Sequence, residues 1–487
     1  MVSYYHYVIV ALAVISATLL AIFLFSRRRL YLLSYALPGP TTLIPLVGNL
    51  GSFFMHRKNV FQFFDRIVAK FPQTFRFWFG PKLIVVSSDP AVLDKISKSA
   101  AFEYVDVFDS NQKETDERWR MHKKLIRPLI NVKFAIDNIA TFQEHGRICT
   151  TLLEKHLNNK EFDVHQYLFP CFLDIYGEIL CGKVIGCQNG RNRNLIWAME
   201  TVLKLRDIER AFRWLHLWSL YKMTDHYKQS NDAREMLSYF IQNVIRKSWQ
   251  RRKLDVFGEN KTGATPLVDR IAEFVENNRK AMRNEEFRDY LLKIYIEASS
   301  TSALIASYVC VCFGMYPECQ VRAATEIRAN LGEDLQNLKY ENLYKLKYLE
   351  MCILEATRLV PKSCFTIRTF TESVDLGDDV TLPEDCPILI PNYWMNRSES
   401  YQKPDHFYPN NFLPENVKWR KSGNESHGSG THECIGRLLS MVGLKIIISQ
   451  IVSRYRIEAD GKFHDLRIGN PSYPKPSLHG FSLCLRD

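Results

Sequence analysis

The sequence predicts a mainly α fold: a helical body with a small β subdomain, behind one N-terminal transmembrane helix. Three observations carry that reading. Residues 8–25 are eighteen in a row without a charge, long enough to span a bilayer as a helix. Helix-period apolar patterns dominate the rest of the chain. Short β-rich runs at 74–79 and 83–86, on either side of Gly80-Pro81, supply the hairpin of a small sheet.

The apolar run has Tyr4, Tyr5 and Tyr7 at its start and Arg27, Arg28 and Arg29 at its end. A cleaved signal peptide carries its charge before the run and a small-residue cleavage site after it. Here the order is reversed, so the segment reads as a signal anchor that keeps the body cytoplasmic and sends the N-terminus across. Leu37-Pro38-Gly39-Pro40, continuing to Pro45 and Gly48, cannot propagate the membrane helix because proline fixes φ and removes a donor. The expected organisation is an anchor over 1–29, a proline- and glycine-rich hinge over 30–50, and a body over 51–487.

A chain of 487 residues buries a large core without disulfides or structural metals. Its 46 % apolar and 24 % charged residues exclude a disordered, collagenous or polytopic membrane protein. Lys and Arg exceed Asp and Glu by 64 to 53, a formal charge of +11, but the excess is dispersed. It suits an acidic partner or a membrane surface and not a nucleic acid. The twelve cysteines show no knuckle spacing, which argues against zinc ribbons and secreted disulfide frameworks.

Four helical stretches carry chemistry. Residues 118–126 hold Trp119 and the cations Arg118, Arg120, Lys123 and Lys124, with Pro128 marking the end. Residues 290–313 form a long apolar run interrupted by Glu297, Ser299, Ser300, Thr301 and Ser302. A core helix seldom buries such a cluster without a use for it, although hydroxyls bonding back to the helix would also satisfy them. Over 343–359, Glu355 and Arg358 stand three apart and share a face as an ion pair. The fourth helix follows Cys434 and carries Ile435, Leu438, Leu439, Val442 and the run 444–448.

The junction before that last helix, Gly428-Ser429-Gly430-Thr431-His432-Glu433-Cys434-Ile435-Gly436, places one thiol just ahead of a helix N-terminus. The helix dipole and the facing N–H groups favour a thiolate there. Such a group serves as a nucleophile, as a metal ligand, or merely as a small buried hydrophobe; the motif alone leaves the three open.

Taken in order, these features resemble the cytochrome P-450 superfamily over essentially the whole chain. The resemblance rests on the anchor, the Pro-Gly-Pro hinge, the Trp-containing basic helix, the long central helix, Glu355-x-x-Arg358, and Cys434-x-Gly436 about eighty residues later. Within the superfamily the chain looks like an arthropod member of the animal family-four group. Glu297 stands four residues before Thr301, and Asn411-Phe412-Leu413-Pro414-Glu415-Asn416-Val417 precedes Cys434 at the usual distance.

The resemblance implies a haem cofactor with Cys434 as proximal ligand to the iron, a thiolate whose electron donation favours O–O cleavage. Gly430 and Gly436 would let the backbone approach ring and sulfur. Arg368 matches a position that binds a haem propionate, and His432, Trp119 and Lys123 fall where the family contacts the propionates. Thr301 would relay protons for oxygen activation beside Ser300. Glu297 occupies the position where family-four members often join haem through an ester. Glu355 and Arg358 would be a buried structural pair.

The departures also matter. The family pattern Phe-x-x-Gly-x-Arg-x-Cys-x-Gly has His427 and His432 here in place of Phe and Arg, which wets the sulfur and removes a propionate charge. Trp119-x-x-x-Lys123 keeps the charge of the usual Arg but not its fork. Ser300 replaces the acid beside the relay threonine, and Asn411 replaces the third member of a Glu-Arg-Arg set.

The expected function is monooxygenation of a lipophilic small molecule (fatty acid, hydrocarbon, steroid or xenobiotic) at the cytoplasmic face of the endoplasmic reticulum membrane. Electrons would come from NADPH through a separate cytochrome reductase, with cytochrome b5 as an optional second donor. The reductase would meet a basic side containing Arg120, Lys124, Arg127, Lys418, Arg420 and Arg437. The degenerate motifs keep two alternatives in view: a haem-binding protein that has lost oxygen activation, and a peroxide-dependent enzyme. A haem-free, membrane-anchored binding protein is the third.

The topology has a direct check. The sequons at Asn260, Asn396 and Asn424 would never meet the glycosylation machinery. Glycosidase treatment of the protein from cells is expected to produce no mass shift; a shift mapped to any of the three would put the body in the lumen.

Overall fold

The computed structural model describes residues 2–41, 48–49, 60–71, 73–98, 102–104, 123–157, 161–214, 218–254, 264–277, 282–333, 335, 338–362, 364–370, 372–377, 380–384, 386–416, 434–461 and 481–486. They fall into two compact units, one of residues 1–107 and 366–391, the other of 108–365 and 392–487.

In the first unit, α1 (Val2–Ser26) contains the expected span: residues 6–26 have mean hydropathy 2.9 and none of the residues in its apolar window is buried in protein. That is the condition for a helix whose solvent is lipid. Arg27 breaks the helix, and α2 (Arg28–Ala36) follows at once, so the hinge expected from residue 30 begins as helix. Trp78 Nε1 donates to Ser34 Oγ at 2.9 Å and Tyr31 stacks on the Trp78 ring at 5.3 Å, which pins α2 to the sheet.

The Pro-Gly-Pro segment is a strap. Arg76 donates from its backbone to the Pro38 carbonyl, and from its guanidinium to the Leu37 and Pro40 carbonyls at 3.2 and 3.1 Å. A Cβ on Gly39 would sit 2.4 Å from the Arg76 carbonyl oxygen, so only glycine permits that approach.

The predicted hairpin is present as β1 (Thr74–Phe79) and β2 (Lys82–Ser87), antiparallel with Phe79 opposite Lys82. After α3 (Val60–Lys70) and α4 (Pro90–Lys98), β3 (Phe102–Tyr104) joins the same sheet. Residues 366–391 return as β4 (Thr366–Phe370), β5 (Val374–Gly377), β6 (Val380–Leu382) and β7 (Ile388–Ile390). The five-stranded order is β1-β2-β7-β4-β3, with β2 and β7 parallel; β5 and β6 pair separately.

The second unit is helical: α5 (Ile139–Leu153), α6 (His165–Cys181), α7 (Arg193–Trp214), α8 (Asp225–Leu254), α9 (Leu267–Asn277), α10 (Asn284–Met315), α11 (Pro317–Leu331), α12 (Tyr340–Lys345), α13 (Lys347–Leu359) and α14 (Arg437–Arg454). β8 (Tyr455–Glu458) and β9 (Ser482–Leu485) close it as an antiparallel pair. α10 exceeds the predicted 290–313 at both ends. It would be long enough to cross a membrane, but its apolar window is 83 % buried, because α6 packs along its length with α8, α13 and α14 around it. It is the core.

The predicted helix over 343–359 is two helices. Leu346 leaves helical conformation with ψ 73, and the Glu326 carboxylate of α11 accepts the Tyr348 and Leu349 backbone N–H groups at 2.7 and 2.9 Å. A carboxylate from another helix thus caps α13, a tertiary event that no local spacing announces. In the basic stretch 118–126, residues 123–126 are helical and pass into a 3₁₀ turn at Arg127–Leu129; the remainder lies outside the described residues.

Glu355 and Arg358 are both fully buried. Arg358 donates from Nε and Nη2 to the two Glu355 oxygens at 2.7 and 2.8 Å, from Nη1 to the carbonyls of Asn396 and Pro404, and from Nη2 to that of His406. Glu355 Oε1 also accepts from Tyr408 N and from Asn411 Nδ2 at 2.8 and 3.1 Å. Asn411 is therefore a neutral donor to the pair and is itself bonded in both directions to the Gln402 backbone. Asn396 is buried and donates to the Arg358 carbonyl, so that sequon is closed to modification in the folded chain.

Removing one partner of such a pair strands a buried charge. Arg358→Ala and Glu355→Ala are each expected to cost about 3–5 kcal/mol, read as a lowered urea midpoint or loss of folded protein in detergent. A change below about 1 kcal/mol in either would show that the pair is solvated.

Candidate functional site

The central helix α10 sets out the polar cluster in a definite way. Ser300 Oγ donates back to the Ile296 carbonyl at 2.7 Å, and Ser307 Oγ to that of Ala303 at 2.7 Å. With its proton committed, Ser307 accepts from His165 Nδ1 at 3.0 Å, which fixes that tautomer. Ser302 Oγ bonds the Tyr176 hydroxyl of α6 at 2.9 Å, and Tyr295 donates to the Leu173 carbonyl at 3.2 Å. Ser299 and Thr301 differ: each hydroxyl is buried without a partner among the described residues. Back-bonding to the helix therefore explains Ser300 and Ser307 but not Thr301.

Glu297 lies one turn before Thr301 on the same face. Its Oε1 accepts from Arg206 Nη1 of α7 at 3.1 Å, and Oε2 pairs with Lys362 Nζ. Sequence reading missed both cations, because neither stands near Glu297 in the chain.

Cys434 stands at the other component. Ten cysteines are buried, Cys484 is intermediate, and Cys434 is exposed. Burial pushes the Cys181 and Cys386 thiols up to about 12, and Cys171, Cys310, Cys312 and Cys352 also rise by desolvation. Those groups are inert, protonated core side chains. Cys434 immediately precedes Ile435 and Gly436, the latter leading into α14, and its carbonyl accepts from Arg437 N at 3.4 Å. α14 is held by the buried Lys445, which donates to Glu350 Oε2 at 2.7 Å and the Leu343 carbonyl at 3.0 Å. Burial raises the Tyr176 phenol of α6 well above its ordinary range; the Ser302 hydrogen bond acts against that rise, and a charge on Cys434 would add to it.

Lys123 is half-buried at the start of its helical turn, and Arg368 lies in β4, opposite Tyr104 of β3 and Ile388 of β7. Trp119, His427, Gly430 and His432 lie outside the described residues.

The sequence profile of the cytochrome P450 family matches residues 38–475. The chain belongs to the cytochrome P450 family. Relatives include cytochrome P450 4c3 of Drosophila melanogaster, 24 % identical over 93 % of this chain and 90 % of the relative. Cytochrome P450 4V2 of Homo sapiens is 24 % identical over 91 % and 88 %, and probable cytochrome P450 313a4 of Drosophila melanogaster 24 % over 91 % and 92 %. The expected superfamily and the family-four likeness are thus both found.

P450 proteins bind haem through a cysteine thiolate, and this chain fits that group. Its exposed thiol is at a helix start, while a Cβ on Gly436 would make only ordinary contact with the sulfur at 3.9 Å. Contacts among the protein atoms therefore do not require glycine at 436. Among the described residues no group of three His, Cys, Asp or Glu side chains forms a metal site of another kind.

The different fates of the hydroxyls are separable by substitution. Thr301→Val removes a hydroxyl that has no partner, so stability is expected to change by less than about 0.5 kcal/mol, whereas Ser302→Ala strands the buried Tyr176 hydroxyl and costs about 1–3 kcal/mol. Equal effects in urea unfolding of the two variants would contradict this assignment.

Proposed function

We propose that this P450 is a haem-thiolate monooxygenase of the endoplasmic reticulum membrane. It would insert one oxygen atom into a lipophilic small molecule, with NADPH electrons delivered by a separate reductase. The observation that carries this reading is the exposed Cys434 thiol at the start of α14, with an unpartnered Thr301 hydroxyl on the central helix of the same unit.

In this reading Cys434 binds haem through its sulfur, and haem, when bound there, supplies the activation of dioxygen. Thr301 Oγ1, without a partner among the described residues, holds and passes a proton or orders the water that does so. Ser300 has its proton tied to the Ile296 carbonyl and takes no such part. Glu297 pairs with Arg206 and Lys362 and so joins α7 and residue 362 to the central helix. Arg368, Gly430, His432, Trp119 and Lys123 are proposed contacts of the haem periphery on the strength of the motif.

The lipophilic substrate class is supported by the apolar N-terminal helix, an anchor that would hold the body at a source of apolar molecules. Arg437, exposed on the first turn of α14 three residues after Cys434, and the exposed Lys124 and Arg127 are cations suited to an acidic reductase surface, with cytochrome b5 as a second donor. Arg27, Arg28 and Arg29 after α1 support a cytoplasmic body.

The test is the carbon monoxide difference spectrum of the reduced full-length protein, followed by NADPH turnover with a microsomal reductase. The thiolate-type Soret band is expected in the unaltered protein and absent in Cys434→Ala, with Thr301→Ala diverting more of the consumed NADPH to peroxide. An unaltered band in Cys434→Ala would assign the iron to another ligand, and a well-loaded protein that consumes no NADPH with any substrate that shifts the Soret band would remove the monooxygenase reading.

A further inference from the structure

A cleft of about 470 Å³ opens between the C-terminal half of α8 and the first turns of α10. It lies within the size range of small-molecule sites. Arg246, Trp249 and Lys253 line it at i, i+3 and i+7 of α8, so they share one helix face, and Arg288 and Glu285 face them from α10. Ile245 is buried at its floor, and Trp249 is half-buried against the core.

The charges are not balanced as they are elsewhere on the same helix. Arg251 pairs with Asp269 at 3.0 Å and Arg252 with Glu276 at 2.7 Å, both on α9. On the cleft face, Arg288 has Asp289 at 2.7 Å and Glu285 nearby. Arg246 donates only to the neutral Asn243 amide at 3.0 Å, and Lys253 has no partner among the described residues. Two cations thus flank an indole ring with no carboxylate assigned to them. The start of α10 is capped by its own Arg283 and Glu286, so an anion in the cleft must be held by side chains.

We propose that this cleft binds an anionic small molecule with a flat ring: the negative group between Arg246 and Lys253, the ring against Trp249. It is a site apart from Cys434 and Thr301 and does not depend on the haem assignment.

The probe is 1-naphthyl phosphate, titrated calorimetrically into the detergent-solubilised full-length protein, with 1-naphthol as the neutral control. One-to-one binding is expected, weakened about tenfold or more by Lys253→Ala and by Arg246→Ala, strongly salt-dependent, and unaccompanied by a Soret shift. Arg252→Ala, on the matched face, is expected to leave it unchanged. Absence of saturable binding, equal affinity for 1-naphthol, or full affinity in both Lys253→Ala and Arg246→Ala would each overturn the proposal. A Soret shift on binding would place the probe in the haem pocket and overturn it as well.

Discussion

The buried pair of Glu355 and Arg358 is the constraint on which the irregular stretch after residue 396 depends. Every donor direction of the Arg358 guanidinium is taken up, two by the carboxylate and the others by the carbonyls of Asn396, Pro404 and His406. Those carbonyls belong to an irregular stretch with few backbone partners of its own, and an irregular stretch can be held inside a protein only if something satisfies its polar atoms. One charged fork does so for three of them. A lone ion pair in a dry interior is a poor source of net stability; its effect here is to give the segment from 396 to 411 one conformation, and that segment leads toward Cys434.

The helix α14 is held by a second buried charge. Lys445 sits in the buried apolar stretch of that helix and reaches Glu350 and the end of α12, so α14 is tied to the helix that carries Glu355 and Arg358. The cysteine at the head of α14 thereby inherits its position from two charged contacts and a continuous core. Ten other thiols are buried, eight of them in that core, and where a shift arises it runs toward the protonated form. Cys434 alone is exposed, with Cys484 intermediate.

On the central helix, selection works through hydrogen bonding. Five polar side chains in six positions look alike in the sequence, yet three are committed: Ser300 to its own helix, Ser302 to Tyr176, Glu297 to Arg206 and Lys362. Ser299 and Thr301 keep uncommitted hydroxyls. A buried hydroxyl without a partner costs free energy unless something else meets it, and that condition separates Ser299 and Thr301 from Ser300, whose hydroxyl is met by its own helix.

How much of this was legible in the chain follows from the range of the forces involved. The membrane span, the β1–β2 hairpin, the long central helix, the Glu355–Arg358 spacing and the Cys434–Gly436 junction all depend on hydrophobic periodicity, turn chemistry or residues a few positions apart, and the sequence by itself determined them. The strap of residues 37–40 on Arg76, the break at Leu346, the pairing of Glu297 with two distant cations and the anchoring of Lys445 were decided only by the tertiary structure. Each joins segments tens to hundreds of residues apart, and a charge or a carbonyl has no preferred partner until packing has removed water and left one within reach.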